Sequence, residues 1–152
     1  MNEMTPTLKI PEGFRKISFA RNPFVEVNGP LYAKVDKGKF IIGIRIEPRH
    51  CNPMDRCHGG MLLTICDMVL AIGSNFQAEL HQFLPTVNLT CDFLAPAPVG
   101  TWLEGRVEVL RTTRNLVFSQ AILTADGTPV ARANGIFKLS PGSVMTDSFK
   151  LV

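Results

Sequence analysis

One carboxylate sits where hydrocarbon is expected. Asp67 falls inside the run from Met61 to Ile72, in which Met61, Leu62, Leu63, Ile65, Cys66, Met68, Val69, Leu70, Ala71 and Ile72 are all apolar. Two turns into a helix it cannot serve as the N-cap, and burying it unpaired would cost several kcal/mol or raise its pKa. Either a partner such as Thr64 neutralises it or the protein uses it as a proton acceptor or nucleophile. The run opens on Asn52-Pro53 and on His58-Gly59-Gly60, turn chemistry placed directly ahead of a helix. His50, Cys51, Cys57 and His58 are close in sequence, but no C-x-x-C pair is present, so no metal is expected. Cys57 beside His58 could suggest a thiol nucleophile, yet neighbours in sequence point apart and no third orienting group is evident.

The elements that must position these residues follow from periodicity. The apolar run from Met61 to Ile72, within the stretch from Asn52 to Phe76, predicts one helix that is apolar on every side, to be buried inside a sheet. The run is expected to be too short and, with Asp67 near its middle, too interrupted for a membrane span, which needs about 20 predominantly apolar residues. Ahead of it, Leu31 to Val35 and Phe40 to Ile46 alternate around Lys37-Gly38, which predicts a β-hairpin. Behind it, strands are expected over Thr86 to Leu94, Trp102 to Arg111, Leu116 to Thr124 and the alternating stretch through Leu139, with Asp126-Gly127 as a second hairpin turn. Glu12 to Ala20, with Phe14, Ile17 and Phe19 among polar residues, predicts a short amphipathic helix. The expected organisation is an N-terminal tail and short helix over 1–22, one domain over 23–140 and a C-terminal tail over 141–152. An antiparallel sheet of five to six strands can cover one helix only by curling around it, which leaves open edges and favours pairing with a second copy.

Composition narrows the function classes. With 152 residues the chain has material for one core. A net charge of +3 without long basic runs fits a small anionic ligand better than a nucleic-acid groove. The stretch MNEMTPTLKIPEG has no apolar signal core, so Cys51, Cys57, Cys66 and Cys91 are expected as reduced thiols in a cytoplasmic protein. Cys66 and Cys91 fall on apolar periods and are expected in the core.

The segment Asn52-x5-His58-Gly59-Gly60-x6-Asp67, followed by Thr86 and by Phe93-Leu94-Ala95-Pro96, resembles the acyl-CoA thioesterases of the phenylacetate-degradation type, members of the hotdog fold. The resemblance covers residues 40 to 139. It implies an α+β chain in which a curved antiparallel sheet wraps a central helix, and a cofactor-free hydrolase of acyl-CoA.

Residue by residue, the resemblance implies that Asp67 is the general base on water or the nucleophile that forms an anhydride. Gly59 would offer its N–H to the oxyanion at the helix N-terminus, with Gly60 letting substrate approach. Asn52 would help hold the carbonyl or the water, His58 would orient the loop and assist the leaving thiolate, and Thr86 would orient the attacking water. Gly59 and Asp67 are about 12 Å apart along one helix at 1.5 Å per residue. The resemblance resolves this by a homodimer in which Asn52, His58 and Gly59 of one copy meet Asp67 and Thr86 of the other, with further pairing to a tetramer. Arg111 and Arg114 are candidates for the CoA phosphates, and Met61 and Met68 for lining the acyl tunnel. The alternatives are a non-catalytic acyl-CoA-binding hotdog protein and a hydratase or dehydratase of the same fold.

Overall fold

The computed structural model describes residues 9–140, 142 and 149–152. The first eight residues of the tail and helix expected over 1–22 therefore fall outside the described residues, as does most of the tail expected over 141–152. The elements run β1 (Arg15–Phe19), α1 (Pro23–Asn28), β2 (Tyr32–Asp36), β3 (Lys39–Arg45), a 3-10 turn at Pro48–His50, α2 (Gly59–Gln77), β4 (Thr86–Phe93), β5 (Trp102–Thr112), β6 (Leu116–Ala125), β7 (Thr128–Lys138) and β8 (Phe149–Leu151). One antiparallel sheet results, in the order β4-β7-β6-β5-β3-β2-β1-β8. This is the α+β, helix-in-sheet architecture expected, with eight strands in place of five to six.

The two hairpin turns form where their residues demand it. Lys37 and Gly38 have φ of 49° and 74°, and Asp126 and Gly127 have 45° and 88°. Two successive left-handed residues make the turn whose twist matches its flanking strands. They pair Asp36 with Lys39 and Ala125 with Thr128.

α2 lays Leu62, Ile65, Cys66, Met68, Val69, Leu70, Gly73 and Ser74 against the inner face of the sheet, where it meets β3 through β7. Contrary to the expectation of a run too short for a span, it is long and apolar enough to cross a membrane by length and composition, and the sheet is where its apolar face goes. Small residues set the depth of this contact. A Cβ on Gly73 would stand 2.3 Å from the Val107 side chain, and one on Gly105 would stand 2.9 Å from Val69. The opposite side of α2 stays uncovered in this chain: Leu63 and Phe76 are exposed and Met61, Asp67 and Ile72 are half-buried. The expectation of a helix buried all round is thus corrected to burial on one side.

The segment expected as a helix over Glu12 to Ala20 is a strand. Phe14, Ile17 and Phe19 satisfy a helical face and a two-residue period almost equally, so pairing decided. Ile17 N–H donates to Leu31 O at 2.8 Å, and Ile17 to Phe19 pair with Leu151 to Phe149. Phe14 crosses to the outer face and joins Ile41 and Trp102 in a separate small core. The short helix lies instead at α1, capped by Asn22, whose Oδ1 accepts from Val25 N, and opened by Pro23 at its first position.

Candidate active site

The loop before α2 is a tight hairpin closed by the antiparallel bridge between Cys51 and Cys57. Asn52 holds it: Oδ1 accepts from Met54 N at 3.0 Å and from Arg56 N at 3.3 Å, and its N–H donates to Arg56 O. Its side chain is left with Nδ2 as a donor. His58 then caps α2, with Nδ1 accepting from Gly60 N at 2.9 Å. With Nδ1 accepting, Nε2 is the nitrogen left to carry the ring N–H, and it has no partner among the described residues. The N–H of Gly59, by contrast, makes no hydrogen bond with any described residue, as the first turn of a helix dictates. Around Gly59 there is room, because an added Cβ would meet only the Phe93 ring, at 3.8 Å.

Asp67 lies on the side of α2 that the sheet leaves open. It is half-buried, not sealed in hydrocarbon, and its Oδ1 accepts a 2.7 Å hydrogen bond from the Thr86 hydroxyl at the start of β4. Oδ2 has no partner among the described residues. Both residues line a cleft of about 420 Å³, shared with Met68, Ala71 and Ile72 of α2, Phe83 and Leu84 of the connector, the segment from Phe19 to Val25, and Phe149 of β8.

The residues singled out from the sequence therefore fall into two groups. Asn52, His58, Gly59 and Gly60 cluster at the N-terminus of α2, and Asp67, Thr86 and Met68 gather at the cleft. Eight residues of helix separate Gly59 from Asp67, about 12 Å along the axis. Met61 is half-buried near the first group and does not line the cleft. Arg111 and Arg114 are exposed at the end of β5 and in its turn to β6. The register Thr86–Phe137, Phe137–Val117 and Val117–Thr112 puts them about three strand spacings, or roughly 14 Å, from Thr86, and the chain does not bring them to the cleft. Sequence reasoning missed the wall made by Phe19, Arg21, Phe24 and Phe149, because these residues reach the cleft only through strand pairing across the length of the chain.

Buried His50, Cys57 and Cys66 are structural. Buried His50 accepts from Glu47 N at Nδ1 and faces Asn28 O with Nε2, each at 3.0 Å, so both ring nitrogens are engaged. Burial and then the adjacent Arg49 cation hold its pKa below the ordinary value. Burial, reinforced by Cys51, pushes the Cys57 thiol up to about 12, and burial pushes the Cys66 thiol up as well. Neither supplies a thiolate at neutral pH, which removes the thiol-nucleophile reading of Cys57. Among the described residues no group of three His, Cys, Asp or Glu is placed to hold a metal ion.

A helix N-terminus with a free N–H and a half-buried carboxylate on that helix, steadied by a hydroxyl, suit attack on an activated carbonyl. Comparison with known proteins agrees, since the model of the thioesterase superfamily matches residues 54–131. The chain belongs to the thioesterase superfamily. A Pseudomonas aeruginosa protein named as an esterase is 34% identical over 133 residues, 87% of this chain and 98% of its own. Human acyl-coenzyme A thioesterase 13 is 26% identical over 136 residues, 89% of this chain and 94% of its own. Among solved structures, a Ralstonia eutropha thioesterase described as phenylacetic-acid-degradation-related is 28% identical with a TM-score of 0.69, covering 79% of this chain and 92% of that one. These relatives support the hotdog fold and a thioester hydrolase in general terms. The superfamily match contains the His58 turn, α2, Asp67 and Thr86, whereas Asn52, the Phe19–Val25 wall and Phe149 lie outside it.

Proposed function

We propose that the protein hydrolyses acyl-CoA thioesters to the free acid and CoA, in the cytoplasm, at sites shared between two copies of the chain. The observation that carries this is the Thr86–Asp67 hydrogen bond on the wall of the cleft: one carboxylate oxygen is held and the other is left open toward the space a substrate would fill. In the general-base form, Asp67 Oδ2 takes a proton from a water that Thr86 helps orient, and the resulting hydroxide adds to the thioester carbonyl. The negative oxygen is met by the Gly59 N–H and by the positive end of α2. Collapse of the tetrahedral intermediate breaks the C–S bond, and the proton held on Asp67 passes to the departing thiolate, which the His58 Nε2–H steadies with a hydrogen bond. In the covalent form Asp67 attacks the carbonyl itself and the C–S bond breaks to expel the CoA thiolate; water then cleaves the anhydride to the free acid and the Asp67 carboxylate, and one of its protons goes to the thiolate.

The two-copy arrangement is supported by the 12 Å gap along α2, about four times the reach of a hydrogen bond. It is supported also by what the chain leaves uncovered. β4 is a sheet edge with Val87, Phe93 and Leu94 more than half exposed, and Leu63 and Phe83 are exposed nearby. An edge strand and a helix side of that character invite burial against a second copy, and a further pairing would give the tetramer.

The test is a panel of acyl-CoAs assayed with a thiol-trapping dye on the wild type and on Asp67→Ala. Hydrolysis that depends on Asp67 is the expected result. A folded alanine variant that turns over at the wild-type rate would end this assignment.

A further inference from the structure

The wall of the cleft that faces α2 is built by parts of the chain outside the segment that defines the superfamily. Residues 19–25 link β1 to α1 and run along one side, and Phe149 of β8 closes the end. This wall is anchored. Arg49 donates to Val27 O and Gly29 O, His50 holds Asn28 O, and Phe149 stands 6.2 Å from Phe19 and 6.0 Å from Phe40, ring centre to ring centre.

Among the described residues that line the cleft, Arg21 is the one basic side chain and Asp67 the one acidic side chain. They do not form an ion pair, and Arg21 makes no hydrogen bond or ion pair with any described residue. Of the other polar groups there, Asn75 and Gln82 are bonded to each other's segment, and Asn22 Oδ1 caps α1. A guanidinium left unpaired beside an aromatic wall is placed to receive an anionic oxygen of a ligand, most favourably a bidentate carboxylate. At about 420 Å³ the cleft falls within the roughly 300–1,000 Å³ of small-ligand pockets.

We propose that this cleft is the acyl pocket and that Arg21 selects acyl groups whose far end carries a carboxylate, the monothioesters of dicarboxylic acids. The inference rests on the thioesterase reading. The reacting carbonyl would lie at Asp67 and Thr86, the chain would run along Met68, Ile72 and Phe24, and the terminal carboxylate would meet Arg21. The same cation could instead meet a phosphate of CoA, a rival that the test separates.

The experiment compares kcat/KM for octanoyl-CoA and for its ω-carboxyl analogue suberoyl-CoA, using the full-length wild type and Arg21→Gln, Arg21→Glu and Arg21→Lys. Arg21 is exposed, so these variants are expected to keep the wild-type melting temperature. The expected result is that the ratio of suberoyl to octanoyl activity falls about ten-fold in Arg21→Gln, falls further in Arg21→Glu and is partly restored in Arg21→Lys. An equal rise in KM for both substrates would assign Arg21 to the CoA phosphates and overturn the proposal. An unchanged ratio, or a wild type that hydrolyses octanoyl-CoA and ignores suberoyl-CoA, would overturn it while leaving the thioesterase reading in place. A wild type that cleaves no acyl-CoA at all would remove the thioesterase reading itself.

Discussion

The first turn of α2 and its middle are two halves of a site built on opposite principles. At the first turn the useful group is a backbone N–H, Gly59's, exposed because helix geometry leaves it without an acceptor. Its neighbours are spoken for, Gly60 by His58 and Asn52 by its own hairpin. In the middle the useful group is a side chain, Asp67, half-buried and steadied by a hydroxyl from another element. The difference teaches that one half is specified by where a helix begins, and the other by which residue faces away from the sheet. Substitutions act differently on the two: a side-chain change can erase the second half, whereas only loss of the N–H erases the first.

The sharpest break falls on the side-chain half. Asp67→Ala should lower kcat by about 10³-fold, within the usual contribution of a general base, with little change in melting temperature, because the carboxylate is bonded only to Thr86. Single-turnover hydrolysis in heavy-oxygen water refines this: label entering the Asp67 carboxylate would indicate the anhydride, because a general base acquires none.

For the backbone half the informative change is Gly59→Pro. Proline at the first helical position keeps the helix and removes the N–H, and His58 at ψ 137° already has the extended backbone that proline asks of its predecessor. The expected loss is about 10²–10³ in kcat with wild-type thermal stability. Mixing the two variants then tests whether the halves belong to different copies. Chains of Asp67→Ala and Gly59→Pro, denatured and refolded together, should recover about a quarter of wild-type activity, since half the dimers are mixed and each has one intact site. No recovery would place both halves within one chain.

A smaller effect is expected at Thr86→Val, which removes the hydroxyl that steadies Asp67. A loss of about ten-fold in kcat with KM unchanged would identify Thr86 as orienting, through stopped assays at saturating substrate.

Away from the site, His50 sets a pH dependence of stability. Its folded pKa lies below the unfolded value of 6.5, so the unfolded chain binds the proton first. The full contribution of neutral His50 is present above pH 6.5 and is lost as the pH falls from there toward the folded value. The slope is at most about 1.4 kcal/mol per pH unit. Urea unfolding at pH 7.5 and 5.5 checks it, with the slope reduced in His50→Asn.

The smallest effect belongs to Arg111 and Arg114. Replacing both with Gln should raise KM for a CoA thioester by about three-fold and spare the corresponding pantetheine thioester. Equal effects on the two would remove these arginines from the ligand site.

Much of this was legible in the residues. Lys37-Gly38 and Asp126-Gly127 are turns wherever they occur between alternating strands, because left-handed backbone is a local demand. The apolar run after Gly60 was a helix by length and composition, and Asp67 was conspicuous within it. What the residues hid was the fate of Glu12 to Ala20, where too few apolar positions separate a period of two from one of 3.6. They hid with it the wall containing Arg21, which exists because β1 is held between β2 and β8.

By itself, then, the sequence determined the helix, the turns, the strands that follow and the type and order of the candidate reactive groups, since each depends on neighbours a few positions away. Tertiary structure alone decided that Thr86 bonds to Asp67, that the side of α2 bearing the carboxylate is left open, and that the ends of the chain wall the cleft. Those outcomes depend on which groups find each other across the chain, from the 19 residues between Asp67 and Thr86 to the pairing of Ile17 with Leu151, and no short-range pattern encodes them.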